Sequence, residues 1–464
     1  MAFVLCFHLI PLFLLWAWTI FLRNSRDANL TVFIGMWIWR NSRLFINMWF
    51  FMRYQPAYPA KVPTVYPKDV TVIIPTVFDL KTYTSDLREC ITTCLLNYPA
   101  KIIIVTNKEN AATLHRLVTD IRHGDGTSYD VPIEIKTCAV CNKREQLAVG
   151  IGLVRTDLIL FLDDHVFLKP RFLETVVCAF EDPRVGLCGT KKTVRRQVPE
   201  ADSLWGCYWE SFWNVMGALY LTRHNFEIRA TNAADGGVFV VSGRALLVRT
   251  TIVNSTVFLD GYKNEHFFFG LIGPLASDDD NFVTRWATQL SWNIKIQYTE
   301  EATVETTLGQ PDKFVGQCLR WARTTFRSNL CSLLTQRTVW YRQPLTVWTT
   351  FIPSLLNLAL FWDFGMVFVL TKSTFYLQSS CRQELLFSLW LWIYFAKSVK
   401  LMGYFYHHPQ DFVLFFFPIP AYHLFAWFHS FIKLYAAATF YNTSWTGRKP
   451  NFRITKEGQG CAER

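Results

Sequence analysis

Between about Tyr54 and Tyr341 the chain alternates short apolar runs with amphipathic ones, while both flanks are apolar almost throughout. That alternation constrains the fold more than any other feature. Val70–Pro75 reads as a buried strand, residues 85–96 as a helix and 102–106 as the next strand, with a helix from Asn110. Residues 133–136, a helix from Asn142 and the strand Leu158–Leu162 continue the series. Strands alternating with helices predict an α/β fold with a parallel sheet covered on both faces. In such sheets ligands gather at the carboxyl ends of the strands, which directs attention to the residues just after Pro75, Thr106 and Leu162.

The flanks call for a different solvent. Hydrophobic residues make up 51% of the 464 and charged residues only 18%, against ~25% charged in an ordinary soluble domain. The surplus points to lipid-facing surface. Residues 1–22 carry no charged side chain, and at ~1.5 Å per residue they span a ~30 Å hydrocarbon layer. The run is long and lacks a preceding basic residue, so it reads as a retained anchor rather than a cleaved signal. Residues 31–52 hold Arg40 and Arg43 near their middle. A central Arg costs roughly 2.5–3.5 kcal/mol on insertion scales, which makes an interfacial helix at least as good a reading as a span. Further apolar segments are 346–370, with Asp363, 385–405, with Lys397 and Lys400, and 412–440, interrupted by Pro418 and Pro420. If the basic tail lies on the same side as the α/β domain, the last segment must enter and return, or lie along the interface, beside a polar conduit. The sequon at Asn442 then carries no glycan.

The net charge of +11 is scattered and forms no long basic run. Nucleic acid is therefore a poor partner; a membrane surface and a phosphate-bearing substrate are better ones. The 12 cysteines sit singly or in loose pairs. Cys138 and Cys141 form one C-x-x-C without a second pair at zinc spacing, so reduced thiols are expected rather than a zinc site.

Three constellations carry chemistry. Asp163-Asp164-His165 begins where the strand Leu158–Leu162 runs out. These side chains can hold a divalent cation through oxygen and nitrogen donors; an Asp cap on a helix starting near Pro170 is an equal alternative. Ser277-Asp278-Asp279-Asp280-Asn281 places three carboxylates together. Their repulsion raises at least one pKa, which suits a general base, although acids are also common at a helix N-terminus. Gln317, Arg320 and Trp321 share one side of a helix and offer a guanidinium for a diphosphate and an indole face for a sugar ring. An amphipathic helix at the membrane surface would look the same. Asp235-Gly236-Gly237 is read as leading into a strand that ends at Ser242-Gly243, and Lys143 and Arg144 as opening a helix.

Together these motifs resemble those of the processive family-2 glycosyltransferases, a group that includes hyaluronan and chitin synthases and, most similar here, fungal capsule-type polysaccharide synthases. The resemblance runs from Val70 to Lys449. Asp163-Asp164-His165 stands at the D-x-D motif, with His165 in place of the second Asp. Ser242-Gly243 with Arg249 is similar to S-G-x-x-x-x-x-R, Asp280 stands four residues before Thr284, and Gln317, Arg320 and Trp321 match Q-x-x-R-W. Residues 444–449 are similar to the W-G-T-R-type motif at a channel entrance.

The resemblance implies a GT-A domain with N- and C-terminal transmembrane and interfacial helices. The expected organisation is a membrane anchor and interfacial helix over 1–53, a cytosolic catalytic domain over 54–314, interfacial helices over 315–343, membrane segments over 344–441 and a basic tail over 442–464. It implies donor binding by Thr76, Lys143 or Arg144, Asp163 and Arg320. Asp163 and His165 would hold Mn²⁺ or Mg²⁺, with His165 favouring Mn²⁺. Asp280, beside Asp279, would be the base. Ser242, Gly243, Gln317 and Trp321 would meet the acceptor, and Trp445, Arg448 and Lys449 the channel entrance. The strand ending at Asn107 lacks the Asp that many relatives place near the uracil. The reading is inverting transfer from a UDP-sugar to a growing polysaccharide, coupled to export, in the plasma membrane. The alternatives are single transfer to a ceramide-type lipid, and a non-catalytic scaffold or transporter with a transferase fold.

Overall fold

The computed structural model of the protein describes residues 2–77, 80–124, 130–140, 142–416 and 420–443. Its centre is a mixed nine-stranded sheet. The strands are β1 (Val70–Pro75), β2 (Lys101–Thr106), β3 (Ile133–Thr137), β4 (Leu158–Leu162), β5 (Val166–Leu168), β6 (Val185–Val194), β7 (Ala245–Arg249), β8 (Asn293–Gln297) and β9 (Thr303–Thr306). Their order is β3-β2-β1-β4-β7-β6-β9-β5, with β8 also paired to β6.

The first four strands are parallel, as the alternating pattern predicts. Their β-branched residues point alternately to two cores. Val72 and Ile74 of β1 pack with Leu87 and Ile91 of helix α3 (Leu80–Leu95). Ile73 faces the other way, towards Leu147 and Ile151 of helix α5 (Lys143–Ile151), the intervening helix being α4 (Lys108–Gly124). Burying each such side chain contributes ~1.5–3 kcal/mol. Gly150 permits the α5 contact, because a Cβ there would lie 2.6 Å from Ile73.

β7 runs antiparallel to β4. The loop that precedes β7 is therefore laid beside the loop that follows β4, and the Asp163 amide donates to the Arg244 carbonyl at 3.0 Å. The strand expected before Ser242 does not form. Its backbone donors go to side chains instead, Gly237 N–H to Asp235, Val241 N–H to Thr284 and Gly243 N–H to Asp280, a local competition that defeats a ladder.

The sheet rests on α6 (Leu204–Asp235), a 32-residue helix ending at Gly236 in a left-handed turn. Three buried amides on α6 satisfy the backbone of the sheet and its margin. Asn214 bonds Arg195 and Leu308, Asn225 bonds Lys192, and Asn232 bonds Ile294 and Ile296. Beneath lie α1 (Ala2–Asn24) and α2 (Ala28–Arg53), with Phe51 of α2 stacked on Phe226 of α6 at 4.9 Å. On α1, Leu9, Ile10, Phe13, Leu14 and Trp16 are all exposed, an apolar surface far larger than a soluble monomer usually shows.

The C-terminal helices complete this layer. Residues 346–370 are not one straight helix. The run Pro344–Leu356 and α9 (Ala359–Thr371) meet at an 88° bend. At the bend Asn357 takes Arg40 on its side chain and Lys433 on its carbonyl, the latter at 3.2 Å, which replaces the lost helical bonding. Arg40 also pairs with Asp363 at 3.1 Å. α10 (Arg382–Ser398) continues to His407 as the one run among the described residues long and apolar enough by itself to cross a membrane. Residues 412–440 are likewise not one helix, because the chain breaks before α11 (Ala421–Ala438); Pro418 lies outside the described residues. Cys90, Cys94, Cys178, Cys188 and Cys318 are buried outside any disulfide; Cys141 lies outside the described residues.

Candidate active site

Asn142 caps α5, its side chain accepting the Glu145 amide at 2.9 Å, so Lys143 becomes the first residue of the helix. The Lys143 ammonium lies 2.8 Å from Asp163 and 3.1 Å from Asp279, and it donates to the Gly243 carbonyl at 3.3 Å. One cation thus joins the end of β4, the loop before β7 and the start of α7 (Asp279–Gln289). Gly243 leaves little room there. A Cβ would meet Lys143 Nζ at 3.0 Å and Asp280 at 3.1 Å.

The three adjacent acids separate into three environments. Asp278 is buried in a left-handed turn, bonded to Thr324 at 2.5 Å and to Arg327 at 2.7 Å. Burial alone would raise its pKa, but Arg327 and Thr324 bring it below the ordinary value. Asp279 pairs with Lys143. Asp280 accepts the Gly243 amide at 2.8 Å. Burial, and then the charge of Asp279, raise its pKa in spite of Lys143, a direction that suits a proton acceptor. The spacing to Thr284 has a physical reason. The Thr284 hydroxyl donates to the Asp280 carbonyl at 2.7 Å and accepts the Val241 amide at 3.0 Å. The acids do sit at a helix N-terminus, so the dipole and the site use the same residues.

Asp163 caps no helix, because the next helix begins at Phe172 without a side-chain cap. Burial would raise its pKa, but Lys143 and then His165 bring it below the ordinary value. His165 Nδ1 lies 2.9 Å from an Asp164 carboxyl oxygen. Donation to that carboxylate places the proton on Nδ1 and leaves the Nε2 lone pair available, an arrangement usual for metal-binding histidines. Among the described residues no three His, Cys, Asp or Glu side chains converge as a complete metal site. The donors present fit a cation shared with a phosphate-bearing ligand. Asp163 and Asp279 stand on Lys143, Asp280 and His165 lie beside them, and Lys192, Arg244 and Arg320 line the same cavity.

Gln317, Arg320 and Trp321 lie on α8 (Phe314–Thr324) across the same cavity. Trp321 stacks on Tyr220 at 5.4 Å, and the Arg244 guanidinium lies 5.4 Å from its ring centre. The cavity is about 670 Å³ and extends from Pro75, Asp163 and Asp280 down between the helices to Arg40 and Lys433, within the range of substrate sites.

Two of the expected donor residues, Arg144 and Thr76, stand away from the cavity lining. Arg144 is 1% exposed, and its guanidinium is occupied by Glu265 and the carbonyls of Tyr262, Ser277 and Asp278. It props the acid loop from behind. Thr76 is buried and does not line the cavity, which Pro75 and Val77 reach instead. Arg249 lies at the far end of β7 and bonds carbonyls of Phe180, Asp182 and Val185. Ser242 and Gly243 do line the cavity. Trp445, Arg448 and Lys449 lie outside the described residues. The chain just before them is tethered to the site, because Arg327 donates to the carbonyls of Phe440 and Asn442 at 2.7 and 3.3 Å. Sequence reasoning missed Lys192, Tyr220, Arg223, His224, Glu227 and Arg244, all of which line the cavity. The only local signal was the i, i+3, i+7 spacing of Tyr220, Arg223 and Glu227 on one helix face.

Comparison with known proteins gives a consistent set of relatives. Residues 67–324 match the family described as glycosyltransferase like family 2. A type 2 glycosyltransferase of Gibberella zeae is 35% identical over 420 residues, covering 90% of this chain and 76% of that protein. The NDP-glycosyltransferase ltbB of Aspergillus luteorubrus is 28% identical over 320 residues, 68% of this chain and 74% of that one. A hyaluronan synthase of Streptococcus pyogenes is 24% identical over 321 residues, 67% of each chain.

Proposed function

The chain belongs to glycosyltransferase like family 2 and is an enzyme of that class, and from that premise we propose that it transfers a sugar from a UDP-sugar to a growing polysaccharide. The observation that carries the proposal is the Lys143 bridge. It holds Asp163, on the donor side, and Asp279, next to the acceptor-side base, within about one cation's reach of each other.

The transfer is a single in-line displacement. The acceptor hydroxyl oxygen bonds to the anomeric carbon, the bond to UDP breaks, and Asp280 receives the hydroxyl proton, the configuration inverting. A positioned base of this kind contributes ~10²–10⁴-fold. No enzymic nucleophile is required. Asp163 and His165 would hold Mn²⁺ or Mg²⁺, which when bound neutralises charge on the diphosphate. Arg320 binds the same diphosphate by its guanidinium fork. Trp321, backed by Tyr220, supports the terminal acceptor sugar, with Gln317, Ser242 and Gly243 around it.

The catalytic domain has the GT-A arrangement and faces the cytosol, the source of UDP-sugars, while α1 and the apolar C-terminal helices sit in the plasma membrane. The continuation of the cavity between those helices is a path for the product, with the tail at its entrance. The test is incubation of purified protein with a panel of labelled UDP-sugars, scored by product size. Long product from wild type and none from Asp280→Asn is the expected result. A single sugar on a lipid would establish single transfer, and no turnover of any UDP-sugar would overturn the UDP-sugar donor.

A further inference from the structure

The loop that leads into the three adjacent acids leaves its most apolar residues bare. Residues 267–272 form a tight hairpin, in which the Phe267 amide donates to the Ile272 carbonyl at 2.7 Å and the Ile272 amide to the Phe267 carbonyl at 3.1 Å. At the tip Phe268, Phe269 and Gly270 all take the left-handed backbone conformation, which a bulky L side chain adopts only at a cost. Phe269 is 96% exposed and Leu271 77%. A strained turn that holds a phenyl ring and a leucine out in water gains nothing from packing within the chain.

The flank of the hairpin shows what the tip adjoins. Phe267 and Phe268 each pack edge-on against Phe440, with ring centres 6.0 Å apart, just beyond the end of α11. Along α11, Leu424, Phe428, Phe431 and Tyr435 are exposed, a spacing that lays them on one face of the helix. Tyr441, after the helix, is exposed as well. The tip therefore prolongs an apolar stripe that runs the length of α11, and a contiguous surface of this kind marks an interaction site where scattered exposed residues would not. Aromatic rings gathered at the end of such a stripe are the composition of a membrane–water boundary.

The foot of the hairpin is tied to the chemistry. Glu265 pairs with Arg144 at 2.6 Å and with Arg285, and its carbonyl accepts the Leu275 amide at 2.9 Å. The same Arg144 guanidinium holds the carbonyls of Ser277 and Asp278, so the hairpin and the acid loop share one support.

We propose that residues 267–272 are a lipid-binding hairpin of the catalytic domain, its tip seated in the headgroup region of the bilayer, which brings the acid loop to the membrane surface. This rests on the reading that the exposed face of α11 meets lipid.

The test is photocrosslinking of the purified full chain in phosphatidylcholine nanodiscs that carry a radiolabelled lipid. p-Benzoylphenylalanine replaces Phe269, or Phe431 on α11, or Tyr98, an exposed ring just before β2. Lipid adduct from position 269 should exceed that from position 98 about tenfold, the preference that burying one phenyl ring supplies, and should be similar to that from position 431. With the probe in place of Leu271, Phe269→Asp should remove most of the lipid adduct and leave UDP affinity unchanged. Adduct to a second copy of the chain, or within the chain, in place of lipid overturns the proposal, as does lipid labelling at 269 no higher than at 98. Labelling at 431 without labelling at 269 refutes only the hairpin contact, whereas its absence from both refutes the membrane placement of α11.

Discussion

The two ends of one cavity solve opposite electrostatic problems. At the mouth, Asp163, Asp279 and Asp280 surround Lys143. The acids are placed by a strand end and a helix start, elements whose geometry is fixed by the sheet. At the inner end Arg40 and Lys397 share Asp363 and Arg223 and Lys400 share Glu227, with Arg43 and Lys433 lining the same space. The mouth is suited to a cation and a transferable proton; the inner end is suited to anions.

The largest effects should separate the ends cleanly. Asp280→Asn should lower transfer ~10²–10⁴-fold with UDP affinity near normal; if Asp279→Asn were the inactive variant instead, the base is the neighbouring acid. Asp363→Asn should act only on stability, because it leaves Arg40 and Lys397 without their shared acid. Breaking a buried pair costs ~3–5 kcal/mol, visible as a lowered Tm, while donor hydrolysis per folded molecule persists. Loss of UDP binding in Asp363→Asn would show that the two ends are coupled.

Smaller effects sharpen the mouth. Asp164→Asn should weaken metal affinity ~10–100-fold by releasing the His165 ring, and His165→Ala should weaken UDP binding only when Mn²⁺ is present. Identical UDP titrations with and without Mn²⁺ would remove the metal from the site. Trp321→Ala should slow chain extension by a few-fold, on the ~0.5–1.5 kcal/mol scale of aromatic stacking, with donor hydrolysis affected less. Equal losses in both assays would take the acceptor away from Trp321.

The smallest is a pH shift. Asp280 acts only when deprotonated, and its pKa is raised by burial and by Asp279. Activity should therefore fall on acidification at a pH above the ordinary Asp value of ~3.9. Asp279→Asn removes the like charge, lowers the Asp280 pKa and should move that limb to lower pH. A limb that stays put would mean that burial alone sets it.

The mouth was legible in the sequence because its residues are contiguous. Asp163 to His165 end one strand, Asp278 to Asp280 open one helix, and the Thr284 spacing is one helical turn. Arg144 was not legible. It succeeds Lys143 in the sequence, yet the 100° rotation between neighbours on a helix sends one side chain into the cavity and the other behind the acid loop. The strand expected before Ser242 failed for a related reason, since Thr284 and Asp280, distant in sequence, take its amides. The parallel half of the sheet was legible from strand–helix alternation, whereas the antiparallel β7 was not, because nothing local records the direction of a strand. Arg40, Arg43, Lys397 and Lys400 were visible as charges inside apolar segments, but nothing local records that separate helices bring them to one cavity, and the bend at Asn357 carries no Gly or Pro at the break itself.

The Arg327 tether also bears on how the enzyme comes into being. Asp278, which begins the acid loop, shares the Arg327 guanidinium with the carbonyl of Phe440, 113 residues further along the chain. During synthesis the GT-A domain emerges from the ribosome well before that carbonyl exists, so the acid loop is the last part of the site to receive its full set of partners. The order of translation thus places completion of the catalytic loop after the helical layer that encloses the rest of the cavity. A nascent chain lacking its final helix and the residues after it lacks this support for the acid loop.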